Sequence, residues 1–238
     1  MLLFGVTLLI VVIPIWLTGF IKDPRGTEAF RKISLVWMEV FLFGIGCPLT
    51  VKGKENFKKG KTYIVVCNHN SLMDVPVSTP YIPGPNKTIA KKEMSKIPLF
   101  GLIYKRGSVL VDRKSAESRR KSFDEMKSVL THGMHMCIYP EGTRNKTGNP
   151  LKSFYDGAFK LASDTGTDII PALIFHTGKV LPNNKAFFVW PHPLTIHFLP
   201  AVSVQKNDDF ASLRDGLFKI MWEYYELKRG SRSPQTSV

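Results

Sequence analysis

Residues 62–76 read TYIVVCNHNSLMDVP. The run Tyr63 to Cys67 is apolar and rich in β-branched residues, which predicts a buried strand that ends at Asn68. Pro76 suits the first turn of a helix beginning near Asp74. Strand, short loop and helix start in succession form the opening of an α/β unit, and the loop beyond a strand end is where such folds bind ligands. His69 lies in that loop, five residues before Asp74. Within one helix the two would sit about 140° apart around the axis and could not meet, so the pair makes sense only across a loop-to-helix junction. There the carboxylate can hold one ring nitrogen and leave the other to take a proton from a hydroxyl. Such a base contributes about 10² to 10⁴ in rate. The alternative is that Asp74, alone or with Ser71, caps the helix and His69 is an ordinary loop residue.

The same alternation continues along the chain. Strands are expected at 49–53 (LTVKG), 62–67 (TYIVVC), 108–111 (SVLV), 135–139 (HMCIY), 168–175 (DIIPALIF), 187–190 (FFVW) and 194–199 (LTIHFL). Between and after them, Phe123, Met126, Val129 and Leu130 stripe a helix over 115–130. Phe210, Leu213, Leu217, Phe218, Met221 and Tyr225 stripe another. This predicts an α/β fold, a mixed sheet covered by helices, with an N-terminal membrane-associated helical segment. The expected divisions are apolar helices over 1–48, an α/β domain over 49–228 and a disordered basic tail over 229–238.

Residues 1–21 contain no charged side chain and would span roughly 32 Å as a helix. Lys22, Arg25, Arg31 and Lys32 follow the apolar run, unlike a signal peptide, so the segment is expected to be retained and the following domain to lie on the cytoplasmic side. Pro14 would kink this helix, which leaves a full span and a dip into one leaflet as alternatives. A second apolar stretch, 33–47, is too short to span comfortably. It reads as an interfacial helix with Trp37 and the phenylalanines facing acyl chains, or as a helix buried against the domain.

Lysine and arginine number 33 against 19 acidic residues, so the surface should attract anions, without selecting among nucleic acid, phosphorylated metabolites and acidic membranes. Cys47, Cys67 and Cys137 border or lie within apolar runs and lack the spacing of a zinc site or disulfide framework. His132, His135, His176, His192 and His197 likewise lack ligand spacing, so no metal site is expected.

Two further stretches carry candidate chemistry. Tyr139-Pro140-Glu141-Gly142-Thr143-Arg144 follows an expected strand, and its glycine-containing loop can bring backbone N–H groups and a planar guanidinium to an anion. Lys105, Arg106 and Arg113 bracket another strand with cations. Singly, these read as a turn with a solvated charge pair and as a basic surface edge.

Together, NHxSxxD at 68–74, GSVLVDR at 107–113, YPEGTR at 139–144 and DIIPALI at 168–174 resemble the four sequence blocks of the glycerolipid acyltransferases. Among these the pattern is most similar to the bacterial 1-acylglycerol-3-phosphate acyltransferases. Tyr139, Asn145 and Ala172 stand where phenylalanine, serine and valine are usual. The resemblance implies that His69 is the general base and Asp74 orients it. It implies that Arg144 holds an acceptor phosphate on the loop of Glu141, Gly142 and Thr143, joined by Lys105 and Arg113. Implied partners are lysophosphatidic acid, an acyl-carrier protein or acyl-CoA donor and membrane lipids, with no nucleic acid. Implied too are no cofactor and a place on the cytoplasmic membrane. Another lysolipid as acceptor, a non-catalytic lipid-binding adaptor and a thioester hydrolase are the rival readings.

Overall fold

The computed structural model describes residues 2–184 and 189–230. Its strands are β1 (Leu49–Lys52), β2 (Ile64–Cys67), β3 (Asn86–Lys91), β4 (Ser108–Val111), β5 (His135–Ile138), β6 (Ile169–Phe175) and β7 (Leu194–Phe198). The helices are α1 (Leu2–Leu17), α2 (Arg25–Gly44), α3 (Asp74–Ser78), α4 (Phe100–Gly107), α5 (Ala116–Thr131), α6 (Gly157–Thr165), α7 (Thr177–Val180) and α8 (Phe210–Gly230).

One sheet runs in the order β1-β7-β6-β2-β5-β3-β4. Strands β2 to β6 are mutually parallel, whereas β7 is antiparallel to β6 and parallel to β1, so the sheet is mixed as expected. Every residue of β2, β5 and β6 is buried, which accounts for their unbroken apolar runs. Alternate side chains serve opposite faces. Ile64 and Val66 join a core with Met126, Leu130, Phe159, Leu217 and Met221 under α5, α6 and α8. Val65 and Cys67 join Trp37, Met38, Phe41, Leu42 and Val77 under α2 and α3.

Strand β3, an interior strand reading NKTIAK, has no counterpart among the expected strands. Its buried Asn86 and Thr88 are satisfied by carbonyls: Asn86 Nδ2 donates to Thr79 O at 2.9 Å and Thr88 Oγ1 to Cys137 O at 2.9 Å. The strand expected at 187–190 falls largely on residues outside those described, and Val189 and Trp190 are not in a strand.

The expectation that Trp37 faces acyl chains is corrected. Helix α2 starts at Arg25 and turns Trp37 and Phe41 inward. The indole of Trp37 donates to Thr7 Oγ1 of α1 at 2.9 Å, and the Phe4 ring packs on both aromatics, 5.3 and 5.4 Å between centroids. An indole N–H needs an acceptor when buried, and α1 supplies one. The buried alternative therefore describes the Trp37 side of α2, while Val36, Val40 and Phe43 on its other side are exposed.

Helix α1 runs through Pro14 into a 3-10 turn, Thr18–Phe20. The stretch Leu2–Phe20, with mean hydropathy 2.4, is long and apolar enough to cross a membrane. One side, with Thr7, Val12 and Ile15 buried, packs along α2 and α4. The other leaves Leu9, Ile10, Ile13 and Trp16 exposed.

The turn between α1 and α2 is tied to the sheet by Asp23. Its carboxylate accepts from Arg106 Nη2 at 2.7 Å and Thr27 Oγ1 at 2.8 Å, and pairs with Lys87 Nζ at 3.1 Å. Arg106 also donates to Thr18 Oγ1 at 3.2 Å. Gly26 leaves room for this, since a Cβ there would lie 2.2 Å from Arg106 Nη2. Burial pushes the Asp23 carboxyl up, but Arg106, Thr27 and Lys87 together hold it well below the usual carboxylate range. A depressed pKa means that this contribution is fully present above the unfolded value and is lost as pH falls on through the folded one. Asp23→Asn should destabilise the chain by about 2 kcal/mol, the scale of hydrogen bonds to a charged group. Thermal unfolding in detergent at neutral pH checks this, and an unchanged Tm would contradict it.

Candidate active site

The site grows from the end of β2. The Asn68 side chain takes the place of a strand's backbone: Nδ2 donates to Ile174 O at 3.0 Å and Oδ1 accepts from Ile174 N at 2.7 Å. Pairing with β6 thus continues through a side chain while the main chain turns, carrying His69 out of the sheet.

Asp74, the first residue of α3, is 0% exposed. Its Oδ2 faces His69 Nδ1 at 2.8 Å and accepts the N–H groups of Asn70 and, at 2.7 Å, Ser71. Its Oδ1 accepts the hydroxyl of Thr177, at the start of α7. One carboxylate therefore closes the loop ahead of α3 and orients the imidazole; it takes no N–H from the helix itself, whose N-cap position is Met73 without a side-chain bond, so the capping alternative is not what the structure has. Held at Nδ1, His69 has Nε2 as the nitrogen that can accept a proton.

The loop after β5 supports His69 from the other side. Glu141, also 0% exposed, accepts the backbone N–H of His69 at 2.7 Å and of Lys152 at 2.9 Å. Asn145 N donates to His69 O at 2.6 Å. The rings of His69 and Tyr139 lie 4.8 Å apart, and the Tyr139 hydroxyl meets Ser78 Oγ at 2.6 Å, which gives the unusual tyrosine a partner. Gly142 has φ +68°, and a Cβ there would lie 2.7 Å from the Tyr155 ring, so glycine is required on both counts.

Arg144 donates through Nη1 to Asn183 Oδ1 at 2.9 Å, and Asn183 Nδ2 donates to Asn70 O at 2.8 Å. This relay couples the guanidinium to the histidine loop. Thr143, Arg144, Lys146, Thr147 and Lys152 line a pocket. Arg113 donates to the carbonyl of Gly142. Lys105 is exposed in the last turn of α4 and is not among the residues lining that pocket. Arg106 serves the Asp23 junction. Thr177 and Asn183 were invisible to sequence reasoning, because neither lies in a recognisable pattern and each meets the site from a distant element. Among the described residues, no group of three or more histidine, cysteine or acidic side chains could hold a metal ion.

The sequence matches the Acyltransferase family over residues 48–175, more than half of its 238 residues, and the chain belongs to that family. The 1-acyl-sn-glycerol-3-phosphate acyltransferase of Cocos nucifera is 33% identical over 168 residues, covering 70% of this chain and 52% of that protein. The protein of the same name from Borreliella burgdorferi is 28% identical over 199 residues, with 79% of each covered. The chain spans about half the length of the Cocos nucifera and Chlamydomonas reinhardtii relatives. Among solved structures, the 1-acyl-sn-glycerophosphate (LPA) acyltransferase PlsC of Thermotoga maritima matches with a TM-score of 0.79 at 21% identity. The match covers 96% of this chain and 94% of that one, and it shows the shared fold.

Two consequences follow from the buried carboxyls. In Asp74→Asn, an amide N–H₂ would face either the backbone N–H groups or the Thr177 hydroxyl, so turnover at this site should fall about 10³- to 10⁴-fold with the fold retained. Steady-state rates beside a circular dichroism spectrum test this, and a loss under tenfold would contradict it. Burial pushes the Glu141 carboxyl up to about 7, against the lowering by the two N–H groups. Because the folded value exceeds the unfolded one, this group's contribution to stability is complete below the unfolded value, 4.5, and is lost as pH rises through about 7. The Tm difference between wild type and Glu141→Gln should therefore change between pH 5 and 8, with wild type losing ground at the alkaline end. A constant difference would contradict it.

Proposed function

We propose that the chain is a 1-acylglycerol-3-phosphate O-acyltransferase. It moves a fatty acyl group from an acyl thioester, of coenzyme A or an acyl-carrier protein, to the sn-2 hydroxyl of lysophosphatidic acid, giving phosphatidic acid. The observation that carries this reading is the His69–Asp74 pair joined through Asn70, Asn183 and Arg144 to a cationic pocket. A base and a phosphate site on one connected loop system suit an acceptor whose hydroxyl and phosphate sit on neighbouring carbons.

In this reading the acceptor hydroxyl gives its proton to His69 Nε2 as its oxygen attacks the thioester carbonyl. Asp74 compensates the charge the ring gains. The tetrahedral intermediate then collapses, the carbon–sulfur bond breaks and the departing thiolate takes the proton back from His69. Arg144 holds the acceptor phosphate, with Glu141, Gly142 and Thr143 shaping the loop. Arg113 acts by bracing Gly142, and Lys105 adds a cation at the rim. Backbone and side-chain chemistry suffices for thioester exchange, and the reaction calls for no cofactor.

The exposed side of α1, with Val36, Val40 and Phe43 of α2, forms an apolar surface suited to one leaflet of the cytoplasmic membrane. Because α1 packs along its length on α2 and α4, it lies in the leaflet beside the domain instead of crossing away from it. The N-terminal helices and the α/β domain then work as one body, with the site facing the cytoplasmic surface where both lipids reside.

The test is purified chain in mixed micelles with lysophosphatidic acid and labelled palmitoyl-CoA or palmitoyl-carrier protein, beside His69→Ala. Phosphatidic acid formed by wild type should fall at least about 10³-fold in the variant. Free fatty acid released at the same rate without acceptor would make the chain a thioesterase. No diacyl product from either donor would contradict the proposal.

A further inference from the structure

Beyond the residues of the sequence blocks, two lysines border the pocket at the Arg144 loop. Lys146 lies next to Asn145, whose N–H donates to His69 O at 2.6 Å. The Asn145 side chain folds its own loop, accepting Thr147 N at 2.9 Å and Thr147 Oγ1 at 2.7 Å and donating to Asn149 O at 2.9 Å. Lys152 is fixed at two points: its backbone N–H bonds Glu141 Oε2 at 2.9 Å, and its Nζ donates to Thr143 Oγ1 at 3.0 Å. With Arg144, these lysines put three cations and the hydroxyls of Thr143 and Thr147 on one pocket.

Several other cations of this chain are engaged by structure. Lys61, Lys87, Arg106 and Lys127 each pair with an aspartate. Among the described residues, Arg144, Lys146 and Lys152 form no ion pair with a carboxylate; the Lys152 charge acts on the buried Glu141 carboxyl only at longer range, which leaves it able to meet a ligand. One guanidinium suffices to bind any phosphate, but three cations exceed what a singly charged diester needs. A phosphomonoester carries about −1.5 to −2 at neutral pH, with three terminal oxygens to distribute among donors.

We propose that Lys152, assisted by Lys146, is the specificity-determining residue that selects a phosphomonoester acceptor over a lysolipid whose phosphate is a diester. The proposal rests on the acyltransferase reading above. The Lys152 ammonium reaches the extra terminal oxygen and charge that only the monoester has, while Arg144 holds what both classes share. The Lys152 backbone contact to Glu141 survives any side-chain substitution, whereas the Nζ contact to Thr143 does not, so it is the difference between the two acceptors that separates the selecting role from the loop's architecture.

The experiment compares wild type, Lys152→Gln and Lys152→Arg in mixed micelles, with lysophosphatidic acid and lysophosphatidylglycerol as acceptors and one acyl-CoA as donor. In parallel, equilibrium binding of the same two lipids is measured in a His69→Ala background, where no turnover occurs. Lys152→Gln should raise KM and Kd for lysophosphatidic acid about 10- to 100-fold, with values for lysophosphatidylglycerol changed less than about threefold. Lys152→Arg should restore most of the difference. Equal losses for both lipids, or a fall in kcat with KM and Kd unmoved, would make Lys152 a loop-ordering residue and overturn the proposal. Failure of the acyltransferase reading would look different: no diacyl product from wild type, with the binding ratio still deciding the role of Lys152.

Discussion

Everything in the site depends on one carboxylate taken out of water. Asp74 is fully buried, and both of its oxygens are occupied, by the His69 ring, the N–H groups of Asn70 and Ser71, and the Thr177 hydroxyl. A buried carboxylate is tolerated only when its lone pairs are met, and here the groups that meet them are the parts that must be aligned. The loop after β2, the start of α3 and the start of α7 are drawn to one point. The energetic requirement of burying the carboxylate and the geometric requirement of orienting the imidazole are the same requirement.

Glu141 repeats the device one strand over. It too is fully buried and satisfied by backbone N–H groups, one of them from His69 itself. The histidine is thus held through its ring by the first acid and through its main chain by the second. Strand β2 lies between β6 and β5 in the sheet, so its end reaches both the α7 side and the PEGTR loop. That central position explains how two short loops, distant in sequence, share hydrogen bonds at 2.6 and 2.7 Å.

Much of this was legible in the sequence, and the reasons differ by element. The strands β2, β5 and β6 are buried on both faces, so their apolar runs announced them. The loop residues His69, Asp74, Glu141 and Arg144 stood out because chemistry-bearing side chains follow strand ends. β3 escaped because its polar side chains bond to neighbouring carbonyls, a solution that leaves no periodic trace. Trp37 was assigned to lipid because a segment of apolar residues cannot say which partner it meets. Its partner proved to be Thr7 on the preceding helix. Thr177 and Asn183 reach the site only through the tertiary fold. Arg106, one of the cations that bracket β4 in the sequence, belongs to the Asp23 junction that ties the N-terminal helices to the sheet.

The central claim is that Asp74 holds the proton of His69 on Nδ1 and so leaves Nε2 as the base. Nitrogen-15 NMR of the chain labelled in histidine, with the His69 resonances assigned by their loss in His69→Ala, tests this directly. The account predicts a neutral ring whose Nδ1 carries the proton and whose Nε2 shows the shift of an unprotonated nitrogen, and it predicts that Asp74→Asn disturbs that tautomer. A neutral ring protonated at Nε2 in the wild-type chain would contradict the account.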